Sequence, residues 1–190
     1  MDADFWEDRW KNEETGWDMG TVSPPLKAYF DQLEDKTLKI LIPGCGNAYE
    51  AQYLWENGFG DTSVVDISES ALKSFGKRFN SFPTANMYHQ DFFELEGDFD
   101  LIVEQTFFCA IHPDMRKKYA KKMAELIKSG GHLMGLLFDF PLEDGPPFGG
   151  SKEEYLGYFS EDFEIKHLEA CRNSIPPRQG REFFIEFERK

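Results

Sequence analysis

Apolar and polar positions along this chain follow two periods, one typical of buried strands and the other typical of helices. Residues 38–46, LKILIPGCG, form an apolar run that ends in glycine, which indicates a first strand and its turn. The segment from Ala48 to Asn57 then suits a helix, and Gly58 stops it. TSVVDIS predicts a second strand, and Glu69 to Phe79 predicts a second helix with Ser68 as its N-cap.

The alternation continues through the second half of the chain. Asn86 to His89 predicts a short third strand, Asp100 to Glu104 a fourth, and Met115 to Ile127 a long helix. Gly130-Gly131 predicts a turn into HLMGLLF, the fifth strand. The tail offers FEIKHLEAC and EFFIEFER, which predict two strands around the loop IPPRQGR with no evident helix between them.

Strands that alternate with helices predict an α/β fold with a parallel sheet covered on both faces. The closing pair of strands adds an antiparallel hairpin. The expected architecture is therefore a Rossmann-like, mostly parallel seven-stranded sheet with a C-terminal antiparallel hairpin, which resembles class I methyltransferases. Ligands of such sheets bind at the carboxyl ends of the strands.

Length and composition narrow the possible partners. A chain of 190 residues predicts a single domain, with an aromatic, acidic arm at 1–25 and the Rossmann-like core at 38–190. The net charge of −14 opposes nucleic acids and anionic membranes, so we expect a small-molecule substrate and a monomer. Three dispersed cysteines and no signal or membrane segment favour a reduced cytoplasmic protein without a metal site.

The most specific motif follows the first strand. Gly44 and Gly46 allow a tight turn and a close approach of the backbone to a ligand. Asp66 lies twenty residues beyond Gly46, at the spacing where an acidic residue accepts the ribose hydroxyls of a cofactor. Position 49 is Tyr where a nicotinamide fingerprint needs a third glycine. The motif therefore favours S-adenosylmethionine (AdoMet) over NAD.

Two further strand ends carry suitable groups. Asp91 and Phe92 follow the third strand, where such enzymes bind and cover the adenine ring. Glu104 and Gln105 end the fourth strand, where the methionine part of the cofactor lies. Suitable groups at four strand ends favour an AdoMet site over the alternative interpretation, in which the motif is only a glycine turn with a surface aspartate.

Several longer motifs extend along nearly the whole chain. FWEDRW with a following TGW, then PGCG, VVDISE and EQTFFCAIHPDMRKKYA, resemble the thiopurine S-methyltransferase superfamily. TFFCAIHP, GPPF and IPPRQGRE are most similar to the halide and thiocyanate (thiol) methyltransferases of plants and bacteria. The family often has Tyr at the position of Gln105.

The resemblance implies a set of cofactor contacts. It puts indole rings of the arm against AdoMet, a glycine at the carboxypropyl turn, Asp66 on the ribose, and polar and aromatic groups at the adenine and methionine ends. The residues concerned are Trp6, Trp10, Trp17, Gly44, Gly46, Asp66, Asp91, Phe92 and Gln105.

Halides, thiocyanate and bisulfide are good nucleophiles at neutral pH and need no general base. The chain shows no catalytic triad or Cys–His pair, and His112 in AIHP is read as a capping or surface residue. Five residues are candidates for the substrate pocket. Two of them follow the fourth strand directly and three lie further along the chain: Phe107, Phe108, Phe148, Tyr155 and Arg178.

The expected function is methyl transfer from AdoMet to a small soft anion by in-line displacement. An S-methyltransferase for larger aliphatic or aromatic thiols, including thiopurines, is the alternative. A non-catalytic AdoMet-binding protein is a third hypothesis, and an NAD-dependent oxidoreductase, which Tyr49 opposes, is a remote fourth.

Overall fold

The first half of the chain alternates helices with short parallel strands. In the computed structural model, which describes residues 1–190, this half forms one compact unit, Met1–Leu95. Two parallel pairings, β1 with β2 and β2 with β3, join its strands. The elements in chain order are α1 (Ala3–Lys11), α2 (Pro24–Phe30), β1 (Ile40–Pro43), α3 (Tyr49–Glu56), β2 (Thr62–Asp66), α4 (Glu69–Arg78) and β3 (Met87–His89).

The second half forms another compact unit, Glu96–Lys190. Its first two strands are parallel, whereas β7 is antiparallel to both β5 and β6. The elements are β4 (Phe99–Gln105), α5 (Arg116–Leu126), β5 (Ile127–Phe138), α6 (Lys152–Phe159), β6 (Phe163–Ala170) and β7 (Glu182–Arg189).

The seven strands belong to one sheet in the order β3-β2-β1-β4-β5-β7-β6. The strand order, the parallel pairs and the final antiparallel strands confirm the predicted fold class, a Rossmann-like α/β sheet with a C-terminal antiparallel hairpin.

Burial explains why the strand patterns differ. Every residue of β1 and β2 is buried, because a parallel strand between helical layers faces apolar surroundings on both sides. The antiparallel strand β7 alternates instead, and Phe187 packs against Phe159 of α6 with ring centroids 5.1 Å apart. The sequence pattern therefore reports which strands are covered on both faces.

The helices near the N-terminus are short. Asp2 caps α1 through a hydrogen bond from the Phe5 N–H, 3.0 Å. Leu26, Tyr29, Phe30 and Leu33 occur at helical spacing, which predicts one amphipathic helix; α2 begins at Pro24 and ends at Phe30, so Leu33 lies beyond it. None of the helices has both the length and the apolar character needed to cross a membrane.

Two elements differ from the sequence-based expectation. Gly130-Gly131 is not a turn before β5 but lies within the strand, which begins at Ile127. A Cβ at Gly131 would lie 2.9 Å from the Asp100 carbonyl oxygen, so glycine permits this close and irregular pairing with β4. Helix α6 was not predicted, because it is short, contains Gly157 and lacks a clear polar face.

Candidate functional site

The glycine turn after β1 has a backbone conformation that residues with side chains rarely adopt. Gly44 and Gly46 have φ values of 57° and 53°, and Ala48, the N-cap of α3, has φ 49°. A Cβ at Gly46 would meet the indole of Trp10 at 3.3 Å. The turn therefore needs glycine both for its left-handed conformation and for the close approach of Trp10.

Asp66, at the end of β2, lies against this turn. One carboxylate oxygen accepts a hydrogen bond from the Gly46 N–H and the other accepts one from the Ser68 N–H, each at 2.9 Å. Burial raises the pKa of Asp66, while these N–H groups act in the opposite direction. Two carboxylate oxygens have about four acceptor positions, and the Ile67 N–H also bonds to the carboxylate, so one position stays open for a ligand hydroxyl. The carboxylate thus fits a ribose.

The three indoles of the N-terminal segment form one cluster. Trp17 makes edge contacts with Trp6, at 5.6 Å between ring centroids, and with Trp10, at 6.3 Å. Trp10 also contacts the glycine turn. Indole faces attract cations within about 6 Å of the ring centroid. The cluster therefore offers a surface suited to a sulfonium group.

Two carboxylates hold this N-terminal segment in place, and the sequence pattern predicts neither contact. Glu7 of α1 accepts hydrogen bonds from the Ser68 and Ser70 hydroxyls, 2.7 and 2.6 Å, and from the Ser70 N–H, 3.1 Å. The bond from the Ser70 hydroxyl is the largest cause that lowers the pKa of Glu7 to about 2. Asp18 accepts a bond from the Asn47 side-chain amide, 2.7 Å.

The end of β3 carries the predicted adenine residues. Asp91 is exposed and caps a 3-10 turn by accepting a hydrogen bond from the Phe93 N–H, 2.9 Å. Phe92 is buried beside it, with its ring edge against Phe93. The end of β3 therefore combines an exposed carboxylate with a buried aromatic ring at the next position.

In the second unit, the turn after β4 folds around a buried carboxyl group. Glu104 is 1% exposed and accepts hydrogen bonds from the Phe107 and Phe108 N–H groups, 2.8 and 2.9 Å, and from the Tyr119 hydroxyl. Burial raises the pKa of Glu104 to about 7, although these donors lower it. Gln105, the last residue of β4, is half-buried.

A small cavity lies at the end of β4 and β5. Its volume is about 10 Å³, which is room for one water-sized group. Most of its walls are apolar, and the lining residues are Thr106, Phe108, Cys109, Leu136, Leu137, Phe138 and Glu182. Such a site suits a small, weakly hydrated ligand.

Only one of the five predicted pocket residues, Phe108, lines this cavity. Phe107 packs against Tyr119, with ring centroids 5.7 Å apart. Tyr155 is buried in the core and donates its hydroxyl hydrogen to the Phe138 carbonyl, 2.6 Å. Phe148 is buried in the neighbouring loop.

The two polar candidates of the second unit have partners of their own. Arg178 lies 3.5 Å from the buried carboxylate of Glu182. The Glu182 carboxylate, which lines the cavity, therefore balances the positive charge of Arg178. His112 is largely exposed, and its Nδ1 accepts a hydrogen bond from the Asp114 N–H, 3.3 Å, so it is a capping residue on the surface.

Comparison with known proteins agrees with this architecture. The model of the thiopurine S-methyltransferase (TPMT) family matches residues 1–186. A "Probable thiol methyltransferase 2" and a "Thiocyanate methyltransferase 1" of Arabidopsis thaliana are 33% and 34% identical, and each alignment covers 93% of this chain and 81% of the relative. A thiopurine S-methyltransferase of Marinobacter nauticus is 26% identical over 88% of this chain and 86% of its own.

Solved structures share the fold at low sequence identity. A 1,6-didemethyltoxoflavin-N1-methyltransferase of Burkholderia thailandensis, solved with S-adenosylhomocysteine, has a TM-score of 0.78 at 16% identity and matches 99% of this chain and 87% of its own. A TehB-like methyltransferase of Corynebacterium glutamicum has a TM-score of 0.64 at 18% identity, over 99% and 98% of the two chains.

Proposed function

The chain belongs to the thiopurine S-methyltransferase family and is an AdoMet-dependent methyltransferase, and from this premise we propose that its acceptor is a small soft anion: thiocyanate, bisulfide or a halide. The observation that carries the proposal is the cavity of about 10 Å³ at the end of β4 and β5. The cavity has room for about one water, so a halide or bisulfide needs the least expansion of its walls, thiocyanate with three heavy atoms needs more, and a bulky thiol needs the most.

Most of the proposed cofactor roles belong to residues of the first unit. In this proposal Asp66 accepts a ribose hydroxyl, the turn at Gly44 and Gly46 admits the carboxypropyl group, and Asp91 with Phe92 binds the adenine. Trp6, Trp10 and Trp17 shield the sulfonium, and Gln105 binds the methionine end. AdoMet supplies an electrophilic methyl group, activated by its sulfonium.

Transfer to such an anion needs no proton removal. A lone pair of the nucleophile forms the new bond to the methyl carbon while the sulfur–methyl bond breaks, and its electron pair stays on the departing sulfur. The protein's contribution is alignment and the exclusion of water. Apolar walls such as Leu136 and Phe138 exclude water from the nucleophile, and iodide and thiocyanate lose less hydration there than chloride does.

Larger thiols, including thiopurines, are the second candidate. The 26% identity to a bacterial thiopurine S-methyltransferase favours them. The size of the cavity and the higher identity to the thiocyanate enzyme favour the small anion. The family assignment argues against the third candidate, a protein that binds AdoMet without turnover.

Headspace gas chromatography separates these candidates. The protein is given AdoMet and iodide, thiocyanate or bisulfide in separate vials, and methyl iodide, methyl thiocyanate and methanethiol are measured. We expect at least one volatile product. Thiopurine or thiophenol methylation with no volatile product would favour the second candidate, and AdoMet binding with no product from any acceptor would favour the third.

A further inference from the structure

Arg116, the first residue of α5, is fully buried, and methyl transfer to an anion gives its charge no role. Burying a guanidinium is unfavourable unless hydrogen bonds and a counter-charge compensate for the lost water. Its surroundings therefore indicate what it does.

The guanidinium reaches three different segments of the second unit. One terminal nitrogen donates to the carboxylate of Glu154 in α6, 2.8 Å. The other donates to the carbonyl oxygens of Gly149, 2.8 Å, and Phe148, 3.4 Å. The guanidinium carbon also lies 4.6 Å from the ring centroid of Phe108. Arg116 thus fixes a loop, a helix and an aromatic ring together.

These contacts lead to the walls of the cavity. Phe108 lines the cavity directly. The Phe148 N–H donates to the carbonyl oxygen of Cys109, 2.8 Å, and Cys109 is another lining residue. A shift of Arg116 would therefore move two walls, one through stacking and one through the loop at 145–150.

We propose that Arg116 is a positioning residue that sets the size of the nucleophile cavity and thereby the preference for small nucleophiles over bulky thiols. The inference rests on the proposed function. A planar guanidinium can stack on Phe108 and donate in several directions at once, whereas a lysine ammonium carries the same charge without that geometry. Lysine at this position should keep the charge and loosen the walls.

The first variant is Arg116→Lys. We expect kcat/KM for thiocyanate to fall by about tenfold, mainly through a higher KM, because a displaced wall weakens the positioning of a small nucleophile. Turnover of thiophenol should fall less or rise, so the thiophenol-to-thiocyanate ratio of kcat/KM increases. AdoMet affinity, which in this proposal depends mainly on residues of the first unit, should stay within about twofold.

A second variant moves the same loop with Arg116 intact. A Cβ at Gly149 would lie 2.2 Å from the Phe140 carbonyl oxygen and 2.4 Å from that of Pro141. Gly149→Ala must therefore displace the loop, and we expect the same change in selectivity. The matched control is Arg172→Lys at an exposed position, which should leave the ratio unchanged.

Labelling of Cys109 adds a readout that does not depend on turnover. Cys109 is 7% exposed, so loosening of its neighbours should speed its reaction with iodoacetamide, followed by peptide mass spectrometry. Unchanged selectivity and unchanged labelling in the folded variants would overturn the role of Arg116, and Gly149→Ala decides if Arg116→Lys does not fold. A wild-type protein that methylates no anion would instead refute the proposed function.

Discussion

The Asp66 carboxylate joins β2 to the glycine turn, and each of its oxygens already holds one backbone N–H at 2.9 Å. Removing the carboxylate would take away the proposed ribose acceptor and also the hydrogen bond that holds the Gly46 N–H. We expect Asp66→Ala to weaken AdoMet binding by about 1–3 kcal/mol, the range for losing a charged hydrogen-bond partner. Isothermal titration calorimetry measures the change.

The control for that variant is Asp61→Ala, an exposed aspartate just before β2. It should leave AdoMet affinity unchanged. A folded Asp66→Ala protein with wild-type affinity would remove Asp66 from the ribose role.

Glu104 should give stability an unusual pH dependence. Its pKa in the folded protein is about 7, above the usual 4.5, so the folded state favours the protonated form. The stabilisation is complete below about pH 4.5 and is lost as the pH rises through 7. We expect this loss to reach up to about 3 kcal/mol, and Glu104→Gln to abolish it.

Urea unfolding at a series of pH values tests this expectation. Glu153→Gln, at an exposed position in α6, serves as the control and should follow the wild type. If Glu104→Gln and the wild type lose stability in parallel between pH 4.5 and 7, the buried carboxyl is not the group responsible.

At the scale of elements, a single carboxylate joins helix α1 to the start of α4 by hydrogen bonds. Glu7 takes three hydrogen bonds from Ser68 and Ser70 at the start of α4. We expect Glu7→Ala to release α1, to speed proteolysis of residues 1–22 and to weaken AdoMet binding by about fivefold, the loss of roughly one net hydrogen bond. AdoMet should slow this proteolysis in the wild type.

Asp8→Ala is the matched control, because Asp8 lies in the same helix but is exposed. Proteolysis of Glu7→Ala at the wild-type rate, with or without AdoMet, would show that the indole cluster does not need this contact.

Elements with local signals were predictable from the sequence. Ser68 was expected as the N-cap of the second helix, and its hydroxyl accepts a bond from the Ala71 N–H, 3.1 Å. The strand β5 was placed too late, because the pattern at Gly130-Gly131 indicates a turn when the neighbouring strand is unknown. The pattern does not predict helix α6, because the helix is short, contains Gly157 and lacks a clear polar face.

The candidate site likewise has contacts that the sequence predicts and contacts that it does not. The spacing predicts that the turn at Gly46 and Asp66 serve one cofactor, and the structure joins the two by a hydrogen bond, since neighbouring parallel strands bring their ends together. Glu7 and Arg116 were not singled out, because their partners lie 61 and 38 residues away along the chain. When such distant partners are unknown, a charged residue inside a helical segment indicates a solvent-exposed face of the helix.

At the scale of the whole molecule, the net charge of −14 opposes the approach of an anionic substrate. Salt screens this repulsion, and the Debye length falls to about 8 Å at physiological ionic strength. The assay uses saturating AdoMet, and sodium sulfate is added until the ionic strength reaches the physiological value. We expect kcat/KM for thiocyanate to rise about two- to threefold. A neutral thiol should show no rise. A fall for thiocyanate would indicate a locally positive entrance.

The position of β7 has a consequence for synthesis on the ribosome. This strand, Glu182–Arg189, pairs with β5 on one side and β6 on the other, yet it follows both in the chain. Until it emerges from the exit tunnel, β5 presents an unpaired edge and β6 has no neighbour, and unpaired edges promote aggregation. At about 5–20 residues per second the delay after β6 is seconds long. Slow codons between residues 171 and 181 should therefore lower the soluble yield.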